Sequence, residues 1–536
     1  MPRFPVRAGW MLVTLAAACA RPTPPGPVSP APAPAPTAPA TAAALPPVPS
    51  VDGPLAIRVI SPTQGAVRPA ADSTFIFGSL GTGRATLSIN GAPVGVAPNG
   101  AFLAYVAIPQ SGIHELRARA GADTARLLLS YRTAPPTPLP TAAPATPQPV
   151  MYPAPRLATV VRARDTVATG SGVAFGRRGL TGTYIWYLPR GAEVAVVGQR
   201  AGQYELKLGP EPVAFMPDSF LVLGGAAPTR APRLSAPSLR PAAEWVDVVV
   251  PASRAAFLVE QEGRTVGLTI YGRRAALASP RLQSDPLISG ADWVAADSNS
   301  VRLDLLLSSA PWGYAAFYDE SGDLVLRLRR APRIDAAHPL RGRRIVIDPG
   351  HPPAGATGPT GLTEAEANLA VATRLAEQLR AAGAEVVMTR TTNAPPSGIP
   401  VQAVDLAYRT DLAVRSDAEL FVSLHNNAFP EGVNPFIRYG TEAYYFHPQS
   451  RALAEALNAE IADATGIPNH GVKSSDFAVV RMSWMPAVLT ESLFLMFPQQ
   501  EAALRNPEFI DRLAAAHRRG IENFLRIRAA EERIVK

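Results

Sequence analysis

The pattern of apolar and polar residues divides the chain into a long strand-rich part and a shorter mixed part. Up to about residue 335, apolar and polar residues alternate over short stretches such as 102–106, and Asn-Gly pairs at 90–91 and 99–100 mark hairpin turns. From residue 336 onwards, apolar strands alternate with amphipathic helices. This second pattern predicts an α/β domain with a mostly parallel sheet.

Proline-rich stretches interrupt the strand-rich part. Such sequences cannot form a hydrophobic core of their own, so they indicate linkers. A chain of 536 residues is also too long for one core, so we predict a multidomain protein with three small all-β domains before the α/β domain. The predicted order is an export signal at 1–19, a Pro/Ala-rich linker at 20–53, a β-sandwich at 54–132, a Pro-rich linker at 133–155, an SH3-like β domain at 156–225, a linker at 226–242, a β-rich module at 243–335 and the α/β domain at 336–536.

The first residues have the pattern of an export signal. Arg3 and Arg7 precede an apolar run at 8–18 that is too short to span a bilayer and ends in small residues. Cleavage before Cys19 would resemble bacterial lipoprotein processing, although alanine stands three residues before the cysteine, where that motif prefers leucine. We predict a lipidated Cys19, with an ordinary signal peptide and an incidental cysteine as the alternative. Because Cys19 is the only cysteine, a disulfide or a Cys-ligated zinc site within the chain is excluded.

The net charge of +8 and the pI near 9.8 do not indicate a nucleic-acid-binding protein. Arginine and lysine are scattered along the chain and are not clustered with aromatic residues, so the expected electrostatic footprint is missing. The excess of basic residues fits an anionic cell envelope equally well.

Candidate chemistry lies in the last domain, where apolar strands run into polar residues of the metal-ligand type. Because ligands of open α/β sheets bind beyond the carboxyl ends of the strands, residues at such ends can converge although they are far apart in the sequence. The alternative is that each is a loop residue with local hydrogen bonds. Three strands have this pattern: 345–347 lead to His351, 421–424 to His425 and 487–490 to Glu491.

A fourth candidate lies at the start of a predicted helix. Thr363 and Glu366 have the spacing of a capping box, so Glu366 has a structural role. Glu364 has no such role, and the pattern leaves two interpretations equally open: favourable contact with the positive helix end, or a ligand facing the sheet edge. Two histidines and a glutamate form the ligand set of a catalytic Zn²⁺ site, and a nearby carboxylate such as Glu491 can take a proton from attacking water.

Several blocks of this domain resemble zinc-dependent N-acetylmuramoyl-L-alanine amidases of the type 3 family. The resemblance implies Zn²⁺ ligands at His351, Glu364 and His425 and a catalytic glutamate at Glu491. It also selects Glu364 over Glu366, because the ligand glutamate of the family lies four residues before an Asn-Leu pair, here 368–369. The matching blocks are IVIDPGH, GPTGLTEAEANLAVATRLAEQL, LFVSLHNNA, GIPNHGVKSSDFAVVR and MPAVLTESLF.

The resemblance implies a peptidoglycan hydrolase that cleaves the amide bond between N-acetylmuramic acid and L-alanine. Together with the export signal, it predicts a lipid-anchored protein of the periplasm or cell envelope whose β domains contact envelope protein partners. This chain departs from the family in a short proline-containing loop after His351 and in Ala365, where lysine is common. The short loop motivates a first alternative, an inactive peptidoglycan-binding scaffold. A zinc peptidase that cuts within the stem peptide is a second alternative.

Three further histidines carry weaker expectations. His447 and His470 are interpreted as surface groups in loops, with contact to substrate as the less favoured alternative. His517 is assigned to the polar side of the last helix.

Overall fold

The computed structural model describes eight segments of the chain, which belong to one compact unit. The predicted export signal and Cys19 lie outside the described residues. Within the described part of the chain, helices that combine the length and the apolar character needed to cross a membrane are absent. The described segments are 44–68, 71–133, 148–161, 173–181, 184–209, 214–275, 280–297 and 299–535.

The first β region, from residue 44 to residue 133, contains two sheets with an apolar cluster between them. One sheet has the order β1-β3-β6 and the other the order β5-β4-β7-β8, and β2 and β9 form a separate parallel pair. Alternation along β7 buries His114, Leu116 and Ala118 on one face, as the pleat of a half-buried strand requires. The strands are β1 Arg58–Ser61, β2 Val67–Arg68, β3 Ser73–Ser79, β4 Thr86–Ile89, β5 Ala92–Val94, β6 Ala101–Ala107, β7 Ile113–Ala120, β8 Asp123–Ser130 and β9 Arg132–Thr133.

The second β region, from residue 148 to residue 226, is one seven-stranded antiparallel sheet with the order β12-β11-β15-β14-β13-β10-β16. Its first strand begins at Val150, inside the range assigned to the second linker. Proline residues in this strand are tolerated because its register with β13 shifts between Met151 and Arg156. The strands are β10 Val150–Val160, β11 Val173–Arg177, β12 Tyr184–Pro189, β13 Glu193–Arg200, β14 Gln203–Leu206, β15 Ala214–Pro217 and β16 Leu221–Ala226.

The third β region, from residue 227 to residue 335, consists of two four-stranded antiparallel sheets, β17-β18-β24-β23 and β19-β20-β22-β21. Apolar side chains such as Val248, Leu268 and Leu326 are fully buried in the cluster that both sheets share. Strand β17 lies inside the range assigned to the third linker. The strands are β17 Ser238–Pro241, β18 Trp245–Val250, β19 Phe257–Glu262, β20 Thr265–Tyr271, β21 Ile288–Ala295, β22 Ser300–Leu307, β23 Gly313–Tyr318 and β24 Leu324–Arg329.

The C-terminal domain has a six-stranded sheet with the order β26-β25-β27-β30-β28-β29. Four of its five strand pairings are parallel, and β28 pairs antiparallel with β30. The carboxyl ends of β25, β27 and β30 therefore lie side by side at one edge. The strands are β25 Arg344–Pro349, β26 Glu385–Met388, β27 Leu420–Asn427, β28 Thr441–Tyr445, β29 Asn469–Ser474 and β30 Ala487–Phe494.

Helices pack against this sheet through their apolar faces. Leu375 and Leu379 of α1 are fully buried, as the periodicity of that helix predicts. The assignment of His517 to a polar face is wrong, because α6 packs against both α1 and α3 and His517 is fully buried. Helices α6 and α3 approach each other closely at Gly520, where a Cβ atom would lie 2.7 Å from the Cα atom of Leu457. The helices are α1 Glu364–Ala381, α2 Gln402–Arg415, α3 Arg451–Thr465, α4 Ala478–Arg481, α5 Pro498–Ala503 and α6 Pro507–Val535.

Buried hydrogen bonds join the third β region to the C-terminal domain. Trp312 is fully buried and donates its indole N–H to the carbonyl oxygen of Glu419 at 2.8 Å. Arg329, which is also buried, donates to the carbonyl oxygen of Ala418 at 2.6 Å. Because buried donors that lose their acceptors are costly, these bonds favour one fixed arrangement of the two parts.

Candidate active site

His351 follows β25 in a tight loop. The preceding strand residues are buried, and His351 itself adopts a left-handed backbone conformation with φ of 57°. Its ring nitrogen Nδ1 lies 3.2 Å from the carbonyl oxygen of Pro353 and donates its hydrogen there, because a carbonyl only accepts. The other ring nitrogen, Nε2, is thereby directed towards the carboxylate of Glu364, 3.2 Å away.

Glu364 is the first residue of α1 and is buried, with 4% of its surface exposed. The capping box between Thr363 and Glu366 is present with both of its hydrogen bonds, as predicted, so the backbone at the helix start is fixed. The Glu364 carboxylate accepts hydrogen bonds from the backbone N–H groups of Ala356 at 3.0 Å and Asn426 at 3.1 Å. These bonds hold its two oxygens towards the ends of β25 and β27.

His425 lies near the end of β27, next to both of these groups. Its Nδ1 atom is 3.1 Å from Oε1 of Glu364, and the rings of His351 and His425 are 4.9 Å apart. The His425 ring passes directly over Gly350, where a Cβ atom would lie 2.2 Å from it, so glycine is required at that position. One ligand atom from each of His351, Glu364 and His425 lies within 4.8 Å of the others. We call these three residues the His–Glu–His cluster.

The donor chemistry of the His–Glu–His cluster fits a divalent metal ion. Imidazole nitrogens and a carboxylate oxygen are donor types that Zn²⁺ accepts, and one such atom from each residue lies within 4.8 Å of the others. Because the His351 Nδ1 atom donates to Pro353, its Nε2 atom can face a carboxylate oxygen favourably only with a proton or a cation between them.

Within the metal-free cluster, the charges of Glu364 and His351 stabilise each other. Burial alone would raise the pKa of Glu364, but hydrogen bonds from His351 and His425 and their charge hold it far below its usual range. Burial likewise would lower the pKa of His351, and the hydrogen bond to Glu364 raises it above its ordinary value. A carboxylate that stays ionised in this position is suited to binding a cation.

Glu491 faces the same cavity from β30. It is the cross-strand partner of His425, and both residues line a cavity of about 240 Å³ together with His351. Its Oε2 atom is buried and has no hydrogen-bond partner among the described residues. Burial and the negative charges of Glu364 and Glu442 raise the pKa of Glu491 well above its usual value. A carboxyl group with a raised pKa is suited to proton transfer near neutral pH.

Arg409 is a buried residue that supports the loop carrying His351. Its guanidinium contacts the carboxylates of Asp348 at 2.6 Å and Asp405 at 2.7 Å. It also donates to the carbonyl oxygens of His351 and Pro352, each at 3.1 Å. Burial would raise the pKa of Asp348, but the charge of Arg409 and hydrogen bonds from hydroxyl groups hold it below its usual range.

Arg390 is a functional-site residue that the sequence interpretation missed. It donates to the carbonyl oxygens of Pro349 at 2.9 Å, Gly350 at 2.9 Å and Ala365 at 2.8 Å, and so connects the loop before His351 to the start of α1. A local sequence pattern does not mark Arg390, because its acceptors are carbonyl oxygens of two separate elements. We call Asp348, Arg390 and Arg409 the arginine cluster.

His447 and His470 are partly buried. His447 is packed between the third β region and the C-terminal domain, where its Nε2 atom lies 2.9 Å from the carbonyl oxygen of Arg481. Burial lowers its pKa to about 4. His470 lies in β29, with Nδ1 3.7 Å from the carboxylate of Glu442, and lines a cleft next to the cavity. Neither is part of the His–Glu–His cluster.

The fold and the site together define a class of protein: an α/β domain that gathers the His–Glu–His cluster and a glutamate with a buried, unpartnered oxygen at one edge of its sheet. Residues 345–523 match the family model of the N-acetylmuramoyl-L-alanine amidases. The chain belongs to this amidase family.

Two relatives from Bacillus subtilis strain 168 show the extent of the similarity. The uncharacterized protein YqiI is 32% identical over 205 residues, which cover 37% of this chain and 93% of YqiI. The N-acetylmuramoyl-L-alanine amidase LytC is 33% identical over 195 residues, which cover 35% of this chain and only 37% of LytC. The catalytic domain of the amidase CwlV from Bacillus (Paenibacillus) polymyxa var. colistinus is a solved structure with 32% identity, 34% coverage of this chain, 98% coverage of its own and a TM-score of 0.31.

Proposed function

We propose that this protein is a zinc-dependent hydrolase that cleaves the amide bond between N-acetylmuramic acid and L-alanine in peptidoglycan. The observation that carries the proposal is the approach of His351, Glu364 and His425 to within 4.8 Å of one another, with Glu491 in the same cavity. Membership of the amidase family supplies the substrate class.

His351, Glu364 and His425 would hold the zinc ion. Bound there, zinc supplies a Lewis acid that polarises the carbonyl of the scissile amide and makes water a better nucleophile at neutral pH. The hydrogen bonds from Ala356 and Asn426 to Glu364 keep its carboxylate in position, and the Pro353 carbonyl sets the tautomer of His351.

Glu491 is assigned the proton-transfer role. Its unpartnered Oε2 atom accepts a proton from the attacking water, and the same carboxyl group then donates a proton to the leaving amine. The raised pKa helps the second step, because a carboxyl group of ordinary acidity would hold the proton too weakly to donate it near neutral pH.

The cellular setting is part of the proposal. The apolar run before Cys19 supports export with a lipid anchor at that residue, and an exported peptidoglycan hydrolase acts in the periplasm or cell envelope. The paired sheets of the first β region support a β-sandwich, the second region is proposed as an SH3-like barrel, and the third as a β-rich module. We propose that these regions bind peptidoglycan or envelope protein partners.

The alternative of an inactive scaffold rests on the short loop that follows His351. His351, His425 and Glu491 line one cavity, and Glu364 contacts both histidines. This arrangement favours the active enzyme, because a scaffold has no use for an unpartnered buried carboxylate oxygen. A peptidase that cuts within the stem peptide differs only in its products, so mass spectrometry of the released fragments separates it from an amidase.

Two substitutions test the separate roles of the cluster and of Glu491. Glu491→Ala should retain zinc but lose amide hydrolysis by about 10²–10⁴-fold, the range for removal of an acid–base group. His351→Ala should lose both zinc and hydrolysis. Zinc content per chain is measured by atomic spectroscopy, and hydrolysis by release of stem peptide from purified muropeptides.

Glu377→Ala is the matched control, because Glu377 is an exposed glutamate on the same helix as Glu364. It should retain both properties. Normal turnover by the Glu491→Ala protein would contradict the assigned role, and absence of stem peptide release by the unaltered protein would favour the scaffold.

A further inference from the structure

A cleft of about 610 Å³ adjoins the candidate active site on the side of β28 and β29. Asn427, which lines it, lies two residues after His425 on the same strand, and Glu442, which also lines it, is the cross-strand partner of Glu491. The cleft is therefore next to the candidate active site.

Two cationic side chains line the cleft. Lys473 of β29 forms an ion pair with Glu442, which also lines the cleft, and Arg438 is exposed. The excess positive charge of the lining is therefore that of Arg438. The stem peptide of peptidoglycan carries free carboxylates, whereas the glycan strand is rich in neutral hydroxyl and acetamido groups. The excess positive charge of the cleft thus suits the peptide side of the scissile bond.

The outer wall of the cleft is a loop of the C-terminal domain, residues 428–438, that is held by the first β region. Arg68 of β2 contacts the carboxylate of Glu431 through Nε at 2.8 Å, and only 4% of the Arg68 side chain is exposed. Tyr105 of β6 donates its hydroxyl hydrogen to the carbonyl oxygen of Gly432 at 3.0 Å. Gly432 has a left-handed backbone with φ of 82°, and a Cβ atom there would approach Ala71 of the first β region.

An apolar cluster between the first β region and the C-terminal domain accompanies these two polar contacts. Phe75 and Phe77 of β3 are buried against Phe494 and Phe497 of the C-terminal domain. The loop takes part in this cluster, because Phe429 stacks on Phe494 with ring centroids 4.5 Å apart. Aromatic packing of this kind contributes to stability beyond the area that it buries. The first β region and the C-terminal domain therefore share a packed apolar interface.

We propose that the first β region is a positioning element of the substrate site, in which Arg68 and Tyr105 hold the 428–438 loop so that the cleft binds the anionic stem peptide. This inference rests on the proposed function for the identity of the substrate. It assigns the first β region a role inside the catalytic site, in place of a separate binding module joined by a spacer.

The test uses the full-length chain with variants at both polar contacts. Tyr105→Phe removes only the hydroxyl, and Glu431→Ala removes the partner of Arg68, while neither residue lines the cavity around the His–Glu–His cluster. The double variant should raise KM for a soluble muropeptide about ten-fold, with kcat within about two-fold, because two hydrogen-bonded contacts that order the binding site are lost.

Two controls separate positioning from general damage. Glu431→Gln still accepts a hydrogen bond from Arg68 and should restore most of the affinity lost in Glu431→Ala. Glu115→Gln removes a charge from a partly buried glutamate that is salt-bridged to Arg117 and Arg126 in the same β region, and it should leave KM and kcat unchanged.

A readout that needs no turnover keeps this inference distinct from the proposed function. Amide hydrogen exchange over residues 428–438 should accelerate in the double variant and stay unchanged in Glu115→Gln. If the unaltered chain releases no stem peptide, the proposed function fails, and the exchange data still decide whether the first β region holds the loop. Unchanged exchange in that loop, or a loss confined to kcat, would overturn the inference.

Discussion

The arginine cluster and the His–Glu–His cluster lie beyond the carboxyl ends of the same strands, β25 and β27, and each contains a buried carboxylate. In the arginine cluster, Asp348 faces Arg409 and two hydroxyl groups, so the site carries its own cation. In the His–Glu–His cluster, the ion-pair partners of Glu364 within the described residues are His351 and His425. These partners supply a positive charge only when they are protonated.

The difference teaches how a binding site can be told from a structural one. A buried polar group is stable when other groups of the protein form hydrogen bonds or ion pairs with it. The arginine cluster meets that condition without a bound ligand. Beside the His–Glu–His cluster, the Oε2 atom of Glu491 has no such partner among the described residues, and Glu491 lines a cavity together with His351 and His425. The arginine cluster therefore holds the loop, whereas the role proposed for the His–Glu–His cluster is to bind a cation.

The largest expected effect on the free energy of unfolding comes from removing the Arg409 guanidinium, the cation paired with Asp348. Arg409→Met leaves Asp348 and Asp405 buried without a counter-charge, so the free energy of unfolding should fall by about 3–5 kcal/mol, even in a chelator. Urea unfolding followed by circular dichroism measures it. Arg374→Met, at an exposed ion pair with Asp511, is the control and should change stability little. An equal loss in both variants would erase the distinction between buried and exposed clusters.

His517 is a second example of a buried titratable group with partners inside the protein, and it can be compared with the histidines of the His–Glu–His cluster. Thr490 lies 3.2 Å from its Nε2 atom and the Leu513 carbonyl 2.9 Å from its Nδ1 atom. Burial lowers its pKa from 6.5 to about 4. The unfolded chain therefore binds more protons between these two values, so stability is complete above pH 6.5 and is lost as the pH falls towards 4.

The loss attributable to His517 is about 3 kcal/mol at pH 4. His517→Gln should reduce the difference in unfolding free energy between pH 7 and pH 4 by this amount, as measured by urea unfolding at both pH values. An unchanged difference would show that His517 is not the group that resists protonation.

Zinc should have the smallest of the three effects on stability. At a free concentration of about 100 times Kd, zinc stabilises a chain that binds it only when folded by about 2.7 kcal/mol. Glu364→Gln keeps the size of the side chain but removes its charge, and it should abolish this gain. Thermal unfolding of both proteins with zinc and with chelator tests the point, and an equal gain in both would place the metal elsewhere.

Three residues of the candidate site, His351, His425 and Glu491, were predictable from the sequence because each follows an apolar strand, which is a local signal. The capping box left the role of Glu364 open, and the family resemblance selected it. The supporting residues were not predictable in the same way. Arg390 follows β26 without any distinctive pattern, and its role arises only because three carbonyl oxygens from two separate elements converge on it.

The boundaries of the β regions show the same limit. Strands β10 and β17 begin in proline-containing stretches, where composition favours a linker. Each is a strand because a partner is present: Val150 lies opposite Gln199, and Ser238 lies opposite Val249. The environment of His517 likewise depends on contacts of α6 with both α1 and α3, which the helical periodicity of one segment does not specify.

The most direct test of the central claim is a zinc titration of the metal-free full-length chain in competition with a chromophoric chelator. We predict one tightly bound zinc ion per chain, the same stoichiometry in Glu491→Ala, and no tight site in His425→Ala. A His425→Ala protein that still binds one zinc ion with unchanged affinity would contradict the assignment of the His–Glu–His cluster.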